Sequence, residues 1–406
     1  MDIASKNKMT YGLLYDLAKR KNIIYNKIKK YSEMKKDIYN IAYEDFYTEE
    51  IMNNVQEYMT NKDLLNSFLI NKLFRPKKHV LAKRFFKFGI NERRRKIYNI
   101  KNKPKYLVNI ELTKDVTDED ISDLYDLEGI ICNTKVTNNA FYQLHKIIHL
   151  DMNNNRNLDD DIINDYSDQL IRLKINDLVT DAGLKNLKKI QELSLNHNAN
   201  ISDEGIKNLS SLVYLHLGTC RSAFHCEEYG NKSLFSSILP NSLINKNITD
   251  VSLLNKPFLK YLYIGSVKNI TDLGLSYLPH LNVLDISFSS KITDSSLSNL
   301  SQLRCLVYGY QCLHLTDISL NNKPLLEYLN TRSNVNISDY SLLPLHKLSF
   351  FIYNSKNKYI TSSVFHNKYR LEKVLGYVPP SSLRGEEPLC FYLNYSYTLL
   401  TPTYNY

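Results

Sequence analysis

Tryptophan is absent from this chain of 406 residues, and glycine and proline are scarce at 12 and 11. So few glycines leave little room for a phosphate-cradling loop, and no nucleophile elbow or His-Glu-x-x-His pair occurs either. The six cysteines follow no framework spacing, which argues against a disulfide scaffold and fits a reducing interior. No apolar run approaches the roughly twenty residues that a membrane helix needs. The opening Met1-Asp2-Ile3-Ala4-Ser5-Lys6 lacks the apolar stretch of a signal peptide. The expectation is an intracellular chain, not secreted and with no membrane partner. Its Asn-x-Ser/Thr sequons at Asn247, Asn269 and Asn336 should then stay unmodified.

Charge is unevenly spread. Residues 1–105 hold 25 Lys+Arg against 11 Asp+Glu, a balance of +14, and the remainder holds 27 against 31, a balance of −4. A basic front end can bind nucleic acid. The plainer reading is lysine on the wet faces of amphipathic helices, since Lys27, Lys29, Lys30, Lys35 and Lys36 interleave with Ile28, Tyr31, Met34 and Ile38. Nucleic acid is therefore the lesser expectation, with Arg93-Arg94-Arg95-Lys96 its sharpest cluster.

What the chain has in abundance is one returning phrase. Ile270-Thr271-Asp272, Ile292-Thr293-Asp294, Leu315-Thr316-Asp317 and Ile337-Ser338-Asp339 are its clearest copies. Earlier copies begin at Val116, Val136, Leu158, Val179, Ile201 and Ile248, and a worn one at Ile360. The steps are 20, 22, 21, 22, 47, 22, 22, 23, 22 and 23 residues. A fixed period of this size means a solenoid, whose usual work is holding a partner.

About eleven residues before each phrase stands a Leu-x-x-Leu-x-Leu string, as in Leu212–Leu217, Leu259–Ile264 and Leu281–Ile286. Its alternation predicts a strand with one buried face. After the phrase, spacing such as Leu275 to Leu278 predicts a short helix, with Thr271 or Asp272 placed to cap it. The Asp residues recur at every repeat, which makes them caps rather than catalytic acids. One unit buries too little to stand alone, so the units must stack into a curved parallel sheet with helices outside.

This pattern resembles the cysteine-containing class of leucine-rich repeat, in which the Leu string is followed by Cys, then Ile-Thr-Asp, then a short helix. Leu212 to Leu217 with Cys220 fits it, while Asn198, Val267 and Ser289 stand where other copies would carry that cysteine. The resemblance implies an α/β solenoid of about eleven repeats over 106–378. The 47-residue step, with an insertion near 221–247, is either a loop or a worn repeat. Pro240, Glu227-Glu228 and Gly230 favour the loop, and Leu234, Ile238 and Leu243 the repeat.

Ahead of the repeats, residues 44–86 read as an all-α module after a basic amphipathic lead-in at 1–43. Ile51, Met52, Val55 and Met59 keep helical spacing, and Asp63 can cap a helix carrying Leu64, Leu65, Phe68 and Leu69. Read without gaps, the segment resembles an F-box: Glu50, Tyr58-Met59, Asp63-Leu64-Leu65, Ile70, Lys72 and Phe74 fall on that family's pattern. Tyr47-Thr48 replaces its Leu-Pro and Phe74 its Trp. The resemblance implies an adaptor-binding edge of Tyr47, Ile51, Val55, Met59, Leu64, Leu65, Ile70 and Phe74. Chains joining an F-box to such repeats, of a kind found in large amoeba-infecting DNA viruses, dock on a host Skp-type adaptor of a cullin ubiquitin ligase and hold a substrate on the repeats. The resemblance then implies the host cytoplasm, with the nucleus second. The plainer alternative is a helical cap sealing the first repeat. A basic linker or cap at 87–105 and a C-terminal cap at 379–406, with Leu389, Phe391, Leu393, Leu399 and Leu400, complete the expected organisation.

No active site, cofactor site or metal site is expected. His216, Cys220, His225 and Cys226, and again Cys305, Cys312 and His314, lie close in sequence but form no paired Cys-x-x-Cys knuckle. The partner face is expected on the strand positions flanking the central Leu: Arg172, Lys174, Tyr214, His216, Tyr261, Tyr263, Tyr328 and Arg332, with Glu192, Ser194, Val283, Asp285 and Asn330 beside them. Tyr and Arg are frequent interface anchors. With 31 Tyr in the chain, chance placement is the competing explanation.

Overall fold

The computed structural model describes residues 108–195, 198–218, 245–265, 267–308, 312–331, 334–354, 356–361 and 364. It also gives the backbone of strands Phe86–Gly89, Tyr98–Asn99 and Lys373–Tyr377. The expected lead-in, the F-box-like module (Phe86 apart) and the 379–406 cap lie outside these residues, as do Cys220, His225, Cys226 and Arg332. The chain divides into two units, Met1–Val116 with Asp123–Ile131, and Thr117–Ser122 with Cys132–Tyr406.

In the first unit, strands β1 (Phe86–Gly89), β2 (Tyr98–Asn99), β3 (Asn109–Leu112) and β4 (Gly129–Ile131) are all parallel, in the order β2-β1-β3-β4. Val108, Ile110, Leu112, Leu127 and Ile130 are buried. Parallel pairing thus begins at Phe86, the last residue of the stretch expected as an all-α module, and continues through the expected basic linker. Residues 87–105 lack the leucine string, so periodicity could not reveal β1 and β2 there.

The second unit carries the repeats. Its strands are β5 (His149–Asp151), β6 (Arg172–Lys174), β7 (Glu192–Ser194), β8 (Tyr214–His216) and β9 (Tyr261–Tyr263). Then come β10 (Val283–Asp285), β11 (Cys305–Val307), β12 (Tyr328–Thr331), β13 (Phe350–Asn354) and β14 (Lys373–Tyr377). Within the unit each pairs in parallel with its sequence neighbours. The register aligns one row through Leu150, Leu173, Leu193, Leu215, Leu262, Leu284, Leu306, Leu329 and Phe351. Every member of that row is at most 2% exposed, so the alternation read from sequence buries one continuous face. This is a leucine-rich repeat solenoid.

The phrase opens a helical turn of four to six residues in each repeat. Thr or Ser is the cap: Thr180, Ser202, Thr271 and Thr293 accept from the backbone N–H two residues on. Asp is the first helical residue, and it works between repeats. The next phrase's Thr or Ser donates its N–H to one carboxylate oxygen and its hydroxyl to the other, as Thr271 does to Asp250 at 2.7 Å for both bonds. Nine described pairs, from Asp118–Thr137 to Asp339–Thr361, share this arrangement. The close approach needs a small residue in the next repeat's turn where it faces each carboxylate. A Cβ on Gly183 or Gly205 would collide with the carboxylate of Asp160 or Asp181. Ser296 and Ser341 instead donate to Asp272 and Asp317, each at 2.6 Å.

A second ladder runs three residues before each phrase. Asn198 donates to Asn176 O (2.8 Å) and Val179 O (2.7 Å) of the previous coil and accepts from Asn200 N (2.8 Å) and Ile201 N (3.0 Å) of its own. Asn155, Asn176, Asn245 and Asn334 likewise donate two bonds backward. Cys312 takes the same place, donating to Ile286 O at 3.2 Å. Each of these amides serves three or four backbone groups that a buried loop would otherwise strand.

Across the 47-residue step, β8 pairs directly with β9. Asn245 donates to Asn198 O and Ile201 O, and Thr249 N donates to Asp203. The coils on either side of the step are therefore immediate neighbours in the stack. Residues 219–244 lie outside the described ones.

Candidate functional site

The leucine row faces one way and the residues on either side of it face the other. Strand order therefore lays out the second face as a two-column map, with two zones. Over β5 to β7 it is polar. Arg172 Nε lies 3.0 Å from Glu192 Oε1, an ion pair rather than an aligned hydrogen bond, and Lys174 Nζ lies 3.3 Å from Asp151 Oδ2. The cationic side chains stay about one-third exposed, at 35% and 37%. Burial raises the Glu192 carboxyl pKa, and Arg172 and Lys174 hold the rise back. His149 beside them is held down to about 3, first by burial and then by the Arg172 charge.

From β8 onward the face turns aromatic. Tyr214 lies 6.4 Å from Tyr261 and 5.3 Å from Tyr263 between ring centres, and His216 meets Tyr263 edge-on at 5.7 Å. Farther along, Tyr328 stacks on Phe350 at 6.4 Å. Cys305 packs against both the Tyr261–Tyr263–Val283 and the Val307–Tyr328–Ile352 groups. Burial pushes its thiol well up, helped by Asp285 and Glu327. Tyr261, Tyr263, Tyr328 and His216 are only 9%, 4%, 6% and 4% exposed. The residues come together as the register requires, yet they form a second apolar layer rather than an open anchor surface. What this face leaves accessible is the β5–β7 zone and the half-buried Tyr214 edge.

Ser194 Oγ lies 3.0 Å from His216 Nδ1. Both are about 95% buried beneath this face, so the pair has no room for a substrate. Cys305, Cys312 and His314, neighbours in sequence, are spent separately: in the aromatic layer, in the ladder, and on Ile292 O at 2.6 Å. Among the described residues no group of three or more His, Cys, Asp or Glu is placed to hold a metal ion, and no helix is long and apolar enough to cross a membrane.

Two lysines were missed by sequence reading. Asn255 and Asn322 adopt positive φ (54° and 56°), and the lysine that follows each turns inward. Lys256 Nζ donates to Lys207 O and Leu254 O, both at 3.0 Å. Lys323 Nζ donates to Leu297 O (2.6 Å) and Asn321 O (2.9 Å). Each amine clips the C-terminal carbonyls of two successive helical turns, and burial holds both pKa values down to about 8. The Asn-Lys-Pro found in two repeats, at 255–257 and 322–324, was the available signal.

No protein-family model matches the chain, and no curated protein matches it as a relative. Among solved structures it is similar to the Rad7–Elc1 complex in yeast, at 13% identity over 92% of this chain and 91% of that one, TM-score 0.47. The TLR13–ssRNA13 complex shares 18% identity over 64% of this chain, TM-score 0.42, and the match spans only 38% of the TLR13 chain. An internalin from Listeria monocytogenes shares 20% identity over 74% of this chain and 92% of its own, TM-score 0.36. The fold assignment rests on the strand register and the two ladders.

Proposed function

We propose that this chain is a non-enzymatic protein receptor of the cell interior. Its repeats hold a target protein, and its F-box-like segment at 44–86 docks on a Skp-type adaptor of a cullin ubiquitin ligase. The observation that carries the receptor half is the polar zone over β5–β7. There Arg172, Lys174, Glu192 and Asp151 stand partly exposed on in-register strands, whereas the chain's recurrent Asn and Asp residues are used up internally in the ladders. Alternating charges on a rigid sheet select a partner by complementarity more than by raw affinity. The adaptor half is supported by the sequence pattern from Glu50 to Phe74.

The test is capture from an amoebal-cell lysate by the full chain, by Leu64→Asp with Leu65→Asp, and by Arg172→Glu with Lys174→Glu. Adaptor and cullin should come down with wild type and with the strand variant and be lost with the leucine variant. A target should be lost only with the strand variant. A folded wild type that captures a target but no adaptor leaves a repeat scaffold without a ligase. That is the second reading.

A further inference from the structure

The outer ends of the helical turns change character along the second unit. The residue after each phrase Asp is solvent-exposed in every described turn. In the first five turns of this unit it is Glu119, Asn139, Asp161, Ala182 and Glu204, and in the last five Val251, Leu273, Ser295, Ile318 and Tyr340. The four large apolar side chains are 46%, 56%, 54% and 79% exposed. A helix start favours an acid at this place through its dipole; an exposed Leu or Tyr gains the helix nothing. Farther along the same turns, Leu254, Tyr277 and Leu343 add side chains 36–43% exposed.

Charge disappears over the same stretch. The eight-residue segments 251–258, 273–280, 295–302, 318–325 and 340–347 hold three charged residues in 40, and two of those, Lys256 and Lys323, are the buried clips. The matching segments 139–146, 161–168, 182–189 and 204–211 hold one, three, three and two. At the chain average of 23% charged, 40 positions would hold about nine. Loss of charge with retention of Tyr and aliphatics is the compositional mark of an interface core.

We propose that this uncharged face is a homodimer contact, covered by the same face of a second copy about a two-fold axis. Successive turns pack on one another, so the patch is continuous. Its seven apolar side chains present roughly 500 Å². Two copies would bury about 1,000 Å², the lower bound for a specific contact. The order Val251, Leu273, Ser295, Ile318, Tyr340 is complementary to its own reverse: the small Val of one copy meets the large Tyr of the other, Leu meets Ile, and the two serines meet at the axis. A charged partner would find almost nothing to pair with.

Sedimentation velocity on the full chain over a concentration series tests this, with Leu273→Glu and Ile318→Lys made separately. Both sites are more than half exposed, so thermal melts should match wild type; Leu273→Ser and Ile318→Ser, copying position 295, replace any variant that fails to fold. Wild type should dimerise, each charged variant alone should be monomeric, and an equimolar mixture should regain a dimer through the Glu–Lys contact. A wild type that stays monomeric, a dimer indifferent to both substitutions, or a mixture that stays monomeric would overturn the proposal.

Discussion

Asn198→Ala should be among the most costly single truncations in the repeats, although it removes no charge and only one small polar group. The amide makes four hydrogen bonds, two to carbonyls of the previous coil and two from N–H groups of its own; Asn176, Val179 and Ile201 are buried, and Asn200 alone is exposed. At about 1 kcal/mol net per bond, with an added penalty for stranded buried partners, the loss should be on the order of 3–5 kcal/mol. Asn200→Ala is the matched control: its side chain donates a single exposed bond to Asp177 O, so its cost should stay below about 1 kcal/mol. Urea unfolding followed by circular dichroism gives the two values. Hydrogen exchange at the Asn200 and Ile201 amides shows whether the opening is local. Equal costs for the two variants would refute the idea that the ladder, and not leucine burial alone, holds neighbouring coils in register.

Tyr261→Ala with Tyr263→Ala should destabilise by roughly 3–5 kcal/mol or more, because two nearly inaccessible rings are lost; unchanged urea midpoints would mean the aromatic layer is open. Arg172→Glu with Lys174→Glu should cost on the order of 2–3 kcal/mol in the same assay, about 1 for the two lost pairs and the rest for the new carboxylates set beside Glu192 and Asp151. His149 has a folded pKa near 3, below its unfolded value, so its stabilisation is present above about pH 6.5 and is lost as pH falls toward 3. Urea midpoints should therefore drop across that window, and His149→Gln should flatten the drop. Lys256 and Lys323 have folded values near 8, below the unfolded 10.5, so their contribution grows as pH rises from 8 to 10.5. Replacing both by Met should remove that rise in alkaline urea titrations.

Period, strand register and burial of the leucine row were legible because each repeat restates them, and eleven in-phase copies of one phrase point to a solenoid. The division of labour inside the phrase was not. Sequence offers Thr271 and Asp272 equally as caps, and only the stacked coil shows Thr as cap with Asp reaching to the next repeat. The ladder position was partly legible. Asn198, Val267 and Ser289 read as gaps in a cysteine pattern, whereas Asn is itself the working residue, with two amide hydrogens to give where Cys has one weak donor. The tyrosines on β8 and β9 were placed on the correct face, but their burial depends on packing between strands 47 residues apart in sequence. Strand periodicity cannot report that.

Direct titration of a purified Skp-type adaptor into the purified full chain, beside the Leu64→Asp, Leu65→Asp variant, tests the central claim. Saturable binding by the wild type that is lost in the variant, with the melting of the repeats unchanged, is the expected result. A folded wild type that binds no adaptor would contradict the ligase-receptor account and leave the solenoid as a scaffold.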